Sequence, residues 1–536
     1  MAKSVRRAGG GRTNALRART PPPDRRSLLD RILDTPQLAH VVPRLQPEVL
    51  HRVIQHCGLE DCGELVALAT PGQLARVFDL DLWRAGEPGL DERFDAGRFG
   101  LWLEVLMESG AASAARKLAE IDADLMIAAL AQHVLVFDRA AVSPLATDDE
   151  EGEARRSPGD GLGCEVGGYL ILARNTDSWE AIAAALILLE AEHRAYFHRV
   201  MRGCRSLSNA GREVDGLDDL APAREQAMFE LAVSRERRKE QQGYVTPAQA
   251  RAFLQLSRQL PLGGDAAPGG NPVARAYFEA IEWTTPADVA PLPDAAADSV
   301  AAVVDVLLEA GVLGQPARAL LDGPGGRAPR LARIQAHMQA ARNRDHDSYF
   351  ARSQELAYLA NTIAAGCSIQ ARPLTPEETS DAAVAVCNLG LENWPRHWRP
   401  ADDLVSVFQV GWAVLHADVT MYAATQLISV LARLRCDDRE IHTELNALRR
   451  EMTKQCRAGT PWRARAALDV ISTLDPPAWA TLLGLIDEYP VIHAAMHARI
   501  PGTRAVSASA FVFISENSQI ADVRDFMRSL PEALRS

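Results

Sequence analysis

The chain is poor in aromatic residues, which make up 6% of its 536 positions. It has no run of apolar residues long enough to cross a bilayer without a charge. Ala181 to Leu189 ends at Glu190, Glu192 and His193, and Gly411 to Leu434 is interrupted by His416 and Asp418; a membrane span needs about twenty apolar residues in succession. No transmembrane segment is expected, and the second stretch reads as a buried amphipathic helix. No apolar h-region follows the early arginines, so no export signal is expected. The eight cysteines are scattered, without a CxxC pair. Scattered thiols and no secretory signal fit a reducing cytoplasm.

Catalytic signatures are missing as well. No GxxxxGK[ST], GxSxG or HExxH occurs, which removes the phosphate-cradling loop, the nucleophile elbow and the helical zinc-protease motif. His493 and His497 are spaced as one helical turn, but Ala494 stands where the general base would be. The glycines around Cys164 lack the order of a dinucleotide loop. His51, His56, Cys57 and Cys62 crowd one region without paired metal-ligand spacing. Glu48 and His51, and Glu190 and His193, have the i, i+3 spacing of di-iron bundles; such a site also needs a glutamate from each of two further helices. No metal and no cofactor is expected.

What the chain has is Ala, Leu and charge. Hydrophobic residues reach 47% and charged residues 24%, a globular balance. Ala and Leu lose little side-chain freedom in helices, so a mainly α fold is expected. The net charge is −12, yet residues 1–26 carry Lys3, Arg6, Arg7, Arg12, Arg17, Arg19, Arg25 and Arg26 against Asp24 alone. The body is therefore more acidic than the total suggests and should repel phosphate backbones, which argues against general nucleic-acid binding. The basic arm suits contact with an acidic surface, although its glycines and prolines leave it nothing to bury, and a solvated, disordered tail is the expectation.

Along the chain, residues 27–140 read as stacked short helices. Pro47 and Thr70-Pro71 mark helix starts. Short helices cannot bury their apolar stripes alone, so a helical-repeat-like superhelix with a small β element is expected. HVLVFD (133–138), GYLILA (168–173) and AFVFIS (510–515) are the strand-like runs, and residues 141–165 form an acidic, glycine-rich mobile loop. Residues 166–262 make a helical domain, with Thr246 to Gln249 spaced as a capping box. Residues 263–298 are a Pro/Gly/Ala-rich linker region around a short helical piece. Residues 299–536 are a C-terminal helical domain ending in a strand and a helix.

One stretch, AGCSIQARPLTPEETSDAAVAVCNLGLENW (365–394), gathers polar groups beside two cysteines. The pattern predicts a helix over 353–365 stopping at Gly366, a connector over 368–374, and a helix over 377–388 running to Gly390. Its start, Thr375 to Glu378, is a capping box with Pro in the first turn. Cys387 falls on the apolar face and packs as a small hydrophobe. Asn361, Cys367, Ser368, Gln370, Arg372, Asn388 and Glu392 are the candidate ligand or interaction residues. Buried Asn, Gln and Arg serve equally well in tying helix ends together.

The segments ELAYLANTIAAGCSIQARPLTPEETSDAAVAVCNLGLENW, DLVSVFQVGWAVLH, FVFISENSQIADVRDFMRSL and SRERRKEQQGYVTPAQARAF resemble DUF6178, a bacterial family of uncharacterised proteins. That resemblance implies no catalytic residue. Residues 40–84 resemble the N-terminal helical domain of MgtE-type magnesium transporters, without the pore. The sequence thus points to a cytoplasmic, non-catalytic interaction or regulatory scaffold with a protein partner. Its alternative is a small-molecule binder or enzyme with a polar site around Cys367, Arg372 and Asn388.

Overall fold

The computed structural model describes residues 25–35, 38–84, 92–138, 162–209, 221–262, 270–280, 331–395, 403–434, 439–468, 476–493, 496, 511–533 and parts of 302–310. The 1–24 stretch of the basic arm, most of the 141–165 loop and most of the 263–298 region lie outside them. The chain is mainly α-helical with small antiparallel sheets.

The first half holds α1 (Arg25–Leu33), α2 (Leu38–Val41), α3 (Pro47–Cys57), α4 (Gly63–Leu68) and α5 (Pro71–Asp81). A two-stranded hairpin, β1 (Trp83–Arg84) with β2 (Arg93–Phe94), leads to α6 (Ala96–Glu108), α7 (Ala111–Ala119) and α8 (Ala123–His133). Strands β3 (Val134–Asp138), β4 (Gly163–Val166) and β5 (Tyr169–Ala173) follow, then α9 (Trp179–Glu192), α10 (Arg194–Asn209) and α11 (Ala221–Gln241). Their buried side chains form one apolar cluster, centred on Phe78, Phe99 and Trp102. Those rings meet edge to face, 6.2 and 5.1 Å between centroids, a favourable quadrupole arrangement.

The second half holds α12 (Pro247–Arg258), α13 (Pro272–Ala280), α14 (Ala332–Arg344), α15 (His346–Gly366), the hairpin β6 (Ser368–Ile369) with β7 (Arg372–Pro373), and α16 (Pro376–Glu392). Helix α17 (Leu404–Leu415) passes through a π turn (His416–Met421) into α18 (Tyr422–Leu431). Then come α19 (Arg439–Arg457), a 3-10 segment (Pro461–Leu468), α20 (Pro476–Leu485), β8 (Val491–His493), β9 (Phe511–Phe513) and α21 (Asn517–Ala533). They enclose a second apolar cluster. The span Leu404–Leu431 is long and apolar enough to cross a membrane by length and composition, and 83% of that window is buried inside the protein.

Local signals hold where they are local. Thr70, Thr246 and Thr375 each cap a helix by a full capping box, with Gln73, Gln249 and Glu378 reaching back. Two expectations change, and one open question closes. The helix after Thr375 does not end at Gly390 but runs to Glu392. A Cβ on Gly390 would lie 2.0 Å from the Val407 carbonyl oxygen, and one on Gly411 2.0 Å from that of Val386. These glycines let the backbones of α16 and α17 touch. The strand-like runs do not share one sheet: β3 and β4 flank β5, whereas 511–513 pairs with 491–493. His493 sits on a strand, and His497 lies outside the described residues.

Candidate functional site

The polar residues of 361–392 divide into ties and a doorstep. Asn388, 1% exposed, accepts the Ile334 N–H on Oδ1 at 3.1 Å and donates Nδ2 to the Ser515 carbonyl at 2.9 Å. It joins α14, α16 and the entry to α21. Arg372 forks onto Glu378 at 2.7 and 2.8 Å on the surface, a bidentate pair that reinforces the capping box. Glu392 accepts the Asn517 N–H at 2.8 Å. Asn361 is exposed on α15.

Cys367, Ser368 and Gln370 go elsewhere. Gln370 and Ala371 have φ of 53° and 59°, both left-handed, as a tight hairpin turn requires. That turn aims backbone N–H groups at the acidic pair after α20. Ser368 donates N–H and hydroxyl to Glu488 at 3.1 Å each, and Gln370 N–H donates to Asp487 at 2.6 Å. The Cys367 thiol is fully buried, and burial, then Glu488, hold it well above its ordinary range. A thiol held protonated is a poor nucleophile.

Beyond this doorstep lies a cluster that the sequence reading missed. Arg258, at the end of α12, places its guanidinium 4.4 Å from the Trp462 ring centroid and 5.6 Å from that of Trp412. His416, on the π turn, lies tilted 4.5 Å from Trp412 and edge-on 5.7 Å from Trp462. Tyr489 meets Trp412 at 5.5 Å. Burial, and then Arg258, push the His416 imidazole well below its usual range, so it is neutral. Burial raises Glu488, an effect that Arg258 partly opposes. Arg258 Nε, Trp412 Nε1 and His416 Nε2 are buried without a hydrogen-bond partner among the described residues, as are Gln409 Oε1 and Thr420 Oγ1. Such orphans are uncommon, because each costs about 1–3 kcal/mol. π turns often occur at functional positions. The signal in the sequence was the row Gln409, His416 and Thr420 inside an otherwise apolar helix.

The pairs with metal-like spacing disperse. The Glu48 carboxylate accepts the Tyr244 hydroxyl, while His51 Nε2 bonds Asp81 at 3.2 Å. Glu190 faces Arg194 at 3.6 Å. Among the described residues no group of three or more His, Cys, Asp or Glu side chains is placed to hold a metal ion.

The fold and this cluster define a mainly helical protein with two apolar cores and a group of polar side chains at the second, buried at His416 and Gln409 and half-buried at Arg258. Residues 16–213 match the model of DUF6178, a family of unknown function. The resemblance drawn from the sequence is thereby borne out, although the segments that suggested it lie beyond residue 213. No curated protein and no solved structure matches the chain.

Proposed function

We propose that the chain is a non-catalytic regulatory scaffold of the cytoplasm whose C-terminal core binds a small ligand. The observation that carries this reading is the set of unpartnered buried nitrogens, Arg258 Nε, Trp412 Nε1 and His416 Nε2, beside the same aromatic rings. A ligand carrying a hydrogen-bond acceptor would supply the partner that Arg258 Nε and Trp412 Nε1 lack. The doorstep residues Ser368 and Gln370 hold Glu488 and Asp487 beside it. The non-catalytic reading draws on Cys367, whose buried thiol is pushed up in pKa.

Trp412 and Trp462 make the site observable. A metabolite library screened by tryptophan fluorescence and melting temperature should yield compounds that shift the wild type. Those shifts should disappear in both Arg258→Lys, which keeps the charge, and His416→Gln. Responses unchanged in the two variants remove this site.

A protein partner is favoured by one feature of α11. Phe229 is 64% exposed and Val233, one turn later, 38%, while Leu231 and Arg235 of the same helix are buried. Phe229→Glu should abolish crosslinks from this helix to a partner in native lysate; an unaltered crosslink pattern discards that face.

A further inference from the structure

An apolar groove with an acidic rim runs along the N-terminal body, where two adjoining cavities share Glu108. The larger, about 610 Å³, is lined from α6 and α9: Met107, Leu162 and Trp179 give it apolar surface, and Glu104, Glu108 and Glu180 give it charge. The smaller, about 280 Å³, adds Glu60 and Glu64. No lysine or arginine lines either one. Leu162 is 43% exposed, and Ile187, 51% exposed, continues the apolar side of α9 one turn past Ala184.

Local helix energetics do not account for these charges. Glu64 and Glu180 stand in first turns, where the dipole favours an acid. Glu108 instead closes α6, at the end where the dipole opposes an anion. Glu104 stands one turn before it, so two like charges share a face and repel. None of the five carboxylates has a hydrogen bond or ion pair among the described residues. The chain itself carries the complement. Residues 1–24, outside the described residues, hold Lys3, Arg6, Arg7, Arg12, Arg17 and Arg19 against Asp24. They lead into α1, whose Leu28 and Ile32 belong to the same apolar cluster as Trp179. A segment of that length spans at most about 80 Å, more than the width of a body of this size. The tether also makes the encounter intramolecular, at an effective concentration of about a millimolar.

We propose that this groove seats the basic N-terminal arm of the same chain, with the arm's cations against Glu104, Glu108 and Glu180. The proposal is independent of the C-terminal ligand site and of the α11 face. The full chain would be digested briefly with trypsin, reading cleavage after the arm's arginines at low and high salt. A seated arm is cut slowly at low salt. The triple variant Glu104→Gln, Glu108→Gln and Glu180→Gln removes no hydrogen bond among the described residues, so it still folds. Its arm should be cut about tenfold faster than that of the wild type at low salt, and the two rates should converge at high salt, where exposed charges are screened. A control with the same change in charge on α11, Glu225→Gln, Glu230→Gln and Glu236→Gln, should be cut at the wild-type rate. Equal low-salt rates in the wild type and the groove variant overturn the assignment. A control cut as fast as the groove variant overturns it too, since net charge alone would then be responsible. Protection that rises with protein concentration gives the groove to the arm of a second copy and likewise overturns it.

Discussion

Glu355 is 8% exposed in α15. One carboxylate oxygen takes Arg352 Nη2 and the other the Leu404 backbone N–H, each at 2.6 Å. Burial nevertheless lifts its carboxyl to about 7, and Arg352 and the Leu404 N–H offset this only in part. The folded value lies above the ordinary glutamate value, so the native state binds the extra proton. The stability this residue provides is complete in acid and falls as pH rises toward 7. Between pH 5.5 and 8 the urea-unfolding free energy should drop by about 2 kcal/mol through this residue. Glu355→Gln, which keeps an acceptor for Leu404, should lose that slope; equal slopes in variant and wild type contradict the assignment. Residue identity was legible at this scale, but partnership was not. Asn388 stood out in the sequence as a polar residue beside a cysteine, yet its partners are Ile334 and Ser515. Nothing in local spacing identifies partners so remote, and Arg258 carried no local signal at all.

At the scale of elements, the division between what the sequence revealed and what it hid follows the range of the forces. The Thr246 and Thr375 boxes were readable because cap and N3 residue are three positions apart. Gly390 was misread as a stop because its reason is another helix. With a Cβ at 2.0 Å from a backbone oxygen on α17, Gly390→Ala cannot be absorbed by a rotamer change and must push two helices apart. The expected loss is about 3 kcal/mol or more, measured by chemical denaturation. Gly72→Ala, where an added Cβ meets nothing within 4 Å, serves as the control and should change stability by well under that. A Gly390→Ala protein as stable as wild type would mean the helices do not cross there. Strand pairing was the other hidden element: the strand-like runs 133–138, 168–173 and 510–515 did not say which would meet.

For the whole molecule, the two cores are joined through α11 and the segment after it. Asp79, 4% exposed, accepts both Nε and Nη2 of Arg238 at 2.9 and 2.7 Å, and its carbonyl accepts Arg235 Nε at 2.6 Å. Arg235 also pairs with Glu92 at 2.6 Å and lies 4.6 Å from the Trp83 ring. The Tyr244 hydroxyl then donates to Glu48, linking the entry of the second core to α3. Arg238 is half-buried and keeps Asp122 at 3.8 Å, so removing Asp79 costs about 1–3 kcal/mol. Asp79→Ala should therefore free α11, and limited trypsin digestion at Arg237 to Lys239 should speed up about tenfold, by roughly the population shift such a loss produces. A cleavage rate equal to wild type would show that α11 is held by its apolar side alone. The mainly α character was evident from composition; the return of α11 onto α5 was not, because it depends on ion pairs such as Asp79 with Arg238, spanning more than 150 residues.

The π turn between α17 and α18 has a geometric consequence. An α-helix rotates about 100° per residue, so one additional residue in a turn swings everything after it by that angle around the common axis. Leu404 to Leu415 can then present their sides to α16 and α12, while Tyr422 to Leu431 turn toward α19 and α21. A straight rod of the same composition would have to face all four neighbours with a single stripe. His416 begins that switch of phase, with Trp412 one turn before it and 4.5 Å away.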